Sequence, residues 1–138
     1  MLERLKEKVR GFSSVLDQFP EVRYAGVPVL REVAQEVSVE DGVEIGKRLG
    51  DVLMRYRKEV GYGRGFAAPQ IGENKAVFVT FVDDKLTTFI NPLIVERSQE
   101  TNFYRELCLS SGIMAVDTER PEWVVMEWVD EQGKKQKA

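Results

Sequence analysis

Gly63-Arg64-Gly65-Phe66-Ala67-Ala68-Pro69-Gln70-Ile71-Gly72 sits where the chain changes its hydrophobic period, and its reading decides the fold. Before it, apolar residues recur every three or four positions. Val43, Ile45, Leu49, Val52, Leu53 and Tyr56 predict a helix over residues 41–60, with Ser38 or Asp41 as its N-cap and Gly61 at its C-terminal end. After it the pattern is that of strands. Residues 76–82 are rich in branched and aromatic side chains, Asp83-Asp84-Lys85 reads as a turn, and residues 86–90 return as the hairpin partner. Asn91-Pro92 punctuates the chain before Leu93-Ile94-Val95. A further strand is expected over residues 123–129, with a turn at Glu131-Gln132-Gly133. Helices first and strands after, without regular alternation, imply an α+β fold with a mainly antiparallel sheet.

The glycine segment invites two chemical readings. Gly63-Arg64-Gly65-Phe66-Ala67-Ala68 nominally matches a dinucleotide fingerprint, but that motif follows a strand and opens a helix. Here a helix leads in and Pro69 leads out, so the reading fails. If residues 61–67 run extended, Gly61, Gly63, Gly65 and Ala67 share one side almost free of side chains, against which another extended chain can pair. Pro69 then stiffens the backbone before Gln70, whose amide offers a fixed donor beside a reacting carbonyl. Gly46 and Gly50 cost the helix about 1 kcal/mol each relative to alanine, which suggests another backbone packed closely on that side.

Glu106-Leu107-Cys108-Leu109-Ser110 is the second informative segment. Read as extended, it places Glu106, Cys108 and Ser110 on one face and Leu107 and Leu109 on the other. Cys108 is the sole cysteine and the chain has no histidine, which excludes an intrachain disulfide and cysteine–histidine nucleophilic catalysis. Imidazole is also the commonest nitrogen ligand of catalytic transition metals, and none is available here.

The bulk properties narrow the rest. A chain of 138 residues predicts one domain. A net charge of −3 gives no general attraction to nucleic acid or anionic membrane. No apolar run reaches spanning length, and the mixed charges of residues 1–8 do not resemble a secretion signal, so a cytoplasmic location is expected. Leu2, Leu5, Val9, Phe12, Leu16 and Phe19 line one face of a predicted N-terminal helix over residues 1–20, weakened by Gly11 and ended by Pro20. Lys134, Lys135 and Lys137 read as a solvated basic terminus.

Together the two motifs resemble those of the peptide deformylase family, Gly-x-Gly-Leu-Ala-Ala-Pro-Gln-Ile-Gly and Glu-Gly-Cys-Leu-Ser, with Phe66 replacing Leu and Leu107 replacing Gly. Pro28-Val29-Leu30-Arg31 and Ile90-Asn91-Pro92 agree in order, so the similarity spans residues 28–133. The family removes the formyl group from N-formylmethionine on nascent polypeptides by metal-assisted hydrolysis, using iron or zinc. By resemblance, Cys108 corresponds to the thiolate metal ligand, and Gln70 and the Leu109 N–H to the groups that hold the formyl oxygen. Gly63, Gly65 and Leu107 correspond to the peptide groove, whose partner is the N-terminal peptide of a nascent chain. The family's third motif, His-Glu-x-x-His, supplies two further ligands and the general base, and it does not occur in this sequence. One thiol is too few ligands, so the expectation is that no metal is held and that the 138 residues alone are inactive. Glu106, Asp117 and Glu119 are the remaining oxygen donors considered. Two alternatives stay open: a partial chain of an active deformylase, or a non-catalytic peptide-binding module. Without the metal-binding helix, apolar faces would be exposed, to be covered by the N-terminal helix or by a second copy in a homo-oligomer.

Overall fold

The computed structural model describes residue 3, residues 14–112 and residues 115–138. Its organising element is one long helix, α1, over Val39–Val60. The Ser38 hydroxyl accepts the Asp41 N–H at 3.1 Å, Glu40 and Asp41 occupy the first turn, and Arg57 and Lys58 the last. Each end thus opposes the helix dipole. Gly61 closes the helix at φ 82°, donating its N–H to the Arg57 carbonyl at 2.8 Å.

The strands are β1 (Gly65–Ala67), β2 (Val77–Val82), β3 (Lys85–Arg97), β4 (Thr101–Leu107), β5 (Ala115–Pro121), β6 (Val124–Val129) and β7 (Lys135–Lys137). Five of them form an antiparallel sheet in the order β1-β2-β3-β6-β7, while β4 and β5 pair as a separate ribbon. The expected α+β class with a mainly antiparallel sheet is what the structure shows. Asp83 and Asp84 both take positive φ (49° and 56°), which matches the tight turn of the β2–β3 hairpin to the sheet twist.

Helix α1 covers one face of the sheet. Ile45, Leu49, Val52, Leu53 and Tyr56 bury against Phe66, Val77 and Val79, with Phe19 and Val22 closing the core from the N-terminal side. A second row on α1 carries no side chains at all. A Cβ at Gly42, Gly46 or Gly50 would come within 2.7, 2.5 and 2.7 Å of Ile90, Thr88 and Leu86. The close approach inferred from Gly46 and Gly50 exists, but side chains of β3 make it rather than a backbone. Across the sheet's other face, Phe78 stacks on Phe89 at 4.5 Å, and Phe89 meets Trp128 at 5.1 Å.

Two expectations need correction. Asn91-Pro92 does not end a strand: β3 runs through it with a register shift between Ile90 and Leu93, and Asn91 sits at φ 51°. The Asn91 side chain fixes this bulge by exchanging two 2.9 Å hydrogen bonds with the backbone of Val37. The basic end is not a solvated tail, because Lys135–Lys137 pair with β6 and Lys137 lies between Glu127 (3.2 Å) and Glu96 (3.9 Å). The N-terminal helix falls mostly outside the described residues. Residues 14–16 are helical and Phe19 is 2% exposed, so the end of the apolar stripe does enter the core. No helix among the described residues is long and apolar enough to cross a membrane.

The β4–β5 ribbon is nearly all exposed, and bidentate pairs clamp it: Arg105 on Asp117 (2.7 and 2.8 Å) and Arg120 on Glu106 (3.0 and 2.9 Å). A two-stranded ribbon is marginal by itself. Arg120 holds the Glu106 carboxyl below its ordinary 4.5, and Arg105 holds Asp117 below its ordinary 3.8. A carboxyl lowered on folding stabilises the folded form above its unfolded pKa, and that contribution disappears as pH falls through the lowered value. Amide exchange in residues 101–107 and 115–121 should therefore accelerate below about pH 4 relative to the β2–β3 hairpin. Uniform protection across both regions down to pH 3 would refute this.

Candidate active site

The two segments singled out in the sequence meet beside α1. Ala68–Ile71 forms a single 3-10 turn behind β1, with Pro69 in its first positions and Gly72 ending it at φ 87°. That turn brings the Gln70 side chain back over its own strand. Gln70 Oε1 accepts the Ala67 N–H at 2.9 Å, which fixes the amide's orientation and aims Nε2 outward. Nε2 lies 3.2 Å from Ser110 Oγ and 3.5 Å from Cys108 Sγ. The backbone is pinned from outside as well: the Arg23 N–H donates to the Gln70 carbonyl and the Ala25 N–H to the Ser110 carbonyl, each at 2.7 Å. Residues 23–25 thereby lace the two loops together.

Cys108 lies at the exit of β4 and is exposed. The alternation expected beyond it does not hold, because Leu109–Ser111 turns into a 3-10 helix. The Ser111 N–H and hydroxyl both donate to the Cys108 carbonyl, at 2.9 and 2.8 Å. The turn buries Ser110, packs Leu109 against the core and leaves Leu107 62% exposed, so the two leucines do not share a face. Leu109 opens the turn, and a first helical N–H has no acceptor within its own helix. Glu106 is drawn to Arg120 on the ribbon.

A cleft of about 530 Å³ opens between α1, the edge of β1 and the Cys108 loop. It contains Gln70, Leu107, Cys108, Leu109, Gly63 and Gly65, so the structure brings the six residues given a role by resemblance to one cavity, while Glu106 and Ser110 of the second motif do not line it. Only part of the glycine segment is extended, however. Gly61 caps α1, and Gly63 is at φ 137°, its carbonyl accepting Arg57 Nη1 at 2.5 Å. A Cβ at Gly63 would stand 3.3 Å from both Leu53 and Tyr56, so the bareness there also serves packing against α1. Gly65 lies on a strand edge that is free among the described residues, since β1 is outermost in its sheet.

Tyr56, Tyr62 and Arg64 also line the cleft, and the sequence reading passed over them as cleft residues. In the sequence Tyr56 belongs to the apolar helix face, and a hydroxyl-bearing ring in an otherwise aliphatic stripe is the signal that marks it. Burial, and then the neighbouring Tyr62 hydroxyl, push Tyr56 up to about 12, so it stays a neutral hydroxyl throughout the physiological range.

The donor chemistry around Cys108 does not fit a transition metal on these residues alone. Its polar neighbours are an amide and a hydroxyl, and no group of three or more His, Cys, Asp and Glu side chains converges anywhere among the described residues. Asp117 is paired with Arg105, and Glu119 accepts the Thr101 hydroxyl at 2.5 Å, so neither is free to serve the thiol.

Comparison with known proteins bears on the family and the fold. The family model for polypeptide deformylases matches residues 19–138. Peptide deformylase of Treponema pallidum is 36% identical over 115 residues, covering 83% of this chain and 69% of that protein. The Fusobacterium nucleatum enzyme is 34% identical over 116 residues, covering 82% of this chain and 65% of that protein. Among solved structures, peptide deformylase from Thermotoga maritima superposes with a TM-score of 0.71 at 29% identity, over 84% of this chain and 77% of that one. The Synechococcus elongatus enzyme, solved in complex with actinonin, gives 0.71 at 31% identity, over 85% and 63%.

Proposed function

Because this chain belongs to the polypeptide deformylase family, we propose that it is the peptide-holding portion of a deformylase. Its substrate is then the formylated N-terminal peptide of a nascent chain in the cytoplasm, and water converts the formamide to formate and a free amine. The histidine ligands and the catalytic carboxylate would come from polypeptide outside these 138 residues. One observation carries this reading: Gln70 is locked by its own oxygen so that its N–H₂ group faces the thiol of a loop 38 residues away. In the reaction, addition to the formyl carbon builds negative charge on the formyl oxygen. Gln70 Nε2 and the Leu109 N–H are the donors assigned to receive it in this reading, and the Gln70 amide is already oriented by its bond to Ala67 N–H before the charge develops. Gly65 on the open edge of β1 pairs with the peptide backbone behind the formyl group.

One further reading has a specific observation behind it. A sequence without histidine and with a single cysteine favours a peptide-binding module that does no chemistry. Hydrolysis of N-formyl-Met-Ala-Ser with added iron(II), nickel or zinc separates the two. The 138-residue chain alone should show no turnover, while a longer product of the same gene, or a mixture with a segment bearing His-Glu-x-x-His, should release formate. Turnover by the chain alone at the rate of an intact deformylase would overturn the division of labour. Silence from every assembly would leave the binding module.

A further inference from the structure

Among the described residues the cleft is lined by one formal charge, and none of them answers it. Arg64 is the only charged side chain lining the cavity, and among the described residues it makes no side-chain hydrogen bond or ion pair. Nearby arginines are committed. Arg57 donates to the Gly63 carbonyl and lies 4.3 Å over the Phe81 ring, while Arg48 and Arg55 pair with Glu73 and Glu21. The ladder also fixes which way Arg64 faces. Its carbonyl accepts the Phe81 N–H at 2.8 Å, so its backbone points to β2 and that of Gly65 points to the open edge. Side chains two residues apart share a face, which puts Arg64 on the side of Phe66, toward the cleft.

We propose that Arg64 makes the groove selective for peptides carrying a carboxylate close to the formylated end. The inference rests on the peptide-groove reading above and deepens it by naming a substrate class. A peptide laid along Gly65 passes beside an exposed, uncompensated guanidinium at the rim of a cleft whose other walls include Val52, Leu53, Tyr56 and Phe66, so its attraction for a carboxylate is screened by salt. A cavity of about 530 Å³ is roughly 8 Å across, the length of two to three extended residues at about 3.3 Å each. The carboxylate therefore belongs within about two residues of the carbonyl that faces Gln70. It comes either from an acidic side chain or from the free C-terminus of a very short peptide.

Fluorescence anisotropy on the full 138-residue chain tests this, using dye-labelled formyl-Met-Glu-Ser-amide, its isosteric Gln counterpart, and formyl-Met-Gln-Ser with a free carboxyl end. The Glu amide should bind about tenfold tighter than the Gln amide at low salt, and the gap should narrow at high ionic strength. Arg64→Met should abolish the gap between the Glu and Gln amides, and Arg64→Lys should keep part of it. Preference for the free-carboxyl peptide without preference for the Glu amide would assign the carboxylate to the chain end. Equal binding of all three by the unmodified protein overturns the role of Arg64 while leaving the groove intact. Failure of all three to bind overturns the groove itself, and this inference with it.

Discussion

Replacing Gln70 by alanine is expected to lower kcat about 10²–10³-fold in whichever assembly releases formate, with a much smaller change in KM. The amide's value is its fixed direction. Oε1 is tied to Ala67 N–H at 2.9 Å, and the residue rides on a turn held by Pro69 and Gly72, so Nε2 is aimed before the substrate arrives. A donor that need not reorganise supplies about 3 kcal/mol when it meets developing charge in a dry site. Gln70→Glu keeps the shape but substitutes a carboxylate for the donor beside Cys108, and it should not rescue the rate. The alanine variant also frees the Ala67 N–H, so melting temperature must be followed alongside kinetics. A loss of less than fivefold would remove Gln70 from the reaction.

Phe19→Ala should cost about 4 kcal/mol, enough to lower the melting temperature by roughly 15 °C. Phe19 is 2% exposed, meets Tyr56 edge-on at 5.7 Å, and carries the Arg55 guanidinium 5.4 Å over its ring. Truncation leaves a cavity behind Tyr56, which itself forms the wall of the cleft. Equilibrium urea unfolding reads the effect directly, and a change below about 1 kcal/mol would mean that this side of the core collapses to fill the space.

What could be read from the residues was whatever depends on neighbours in sequence. Ser38, Gly61 and the stripe from Ile45 to Tyr56 marked α1 almost to the residue, since caps and period are local properties. The Asp83-Asp84 turn was visible for the same reason. The bulge at Asn91 was not, because its cause is a pair of hydrogen bonds to Val37, 54 positions away. Lys135–Lys137 looked solvated because their charge is plain in the sequence while the edge of β6 that receives them is not. In the candidate site, the motif residues were identifiable but their spacing misled. Strand alternation was carried past Cys108, where Ser111 folds the chain back onto the Cys108 carbonyl. Arg64 carried no local signal, since a cation flanked by glycines is unremarkable until the neighbouring charges are seen to be spent elsewhere.

The bare row on α1 has a reach beyond its own contacts. Gly42, Gly46 and Gly50 let the rod settle onto Ile90, Thr88 and Leu86 without a spacer, and Val52, Leu53 and Tyr56 follow on the same rigid body. A methyl group added at any of the three would act as a shim beneath one end of a lever, tilting the far end that walls the cleft. The gauge of the groove is therefore set up to three helical turns upstream, by three hydrogen atoms where other residues would carry carbon.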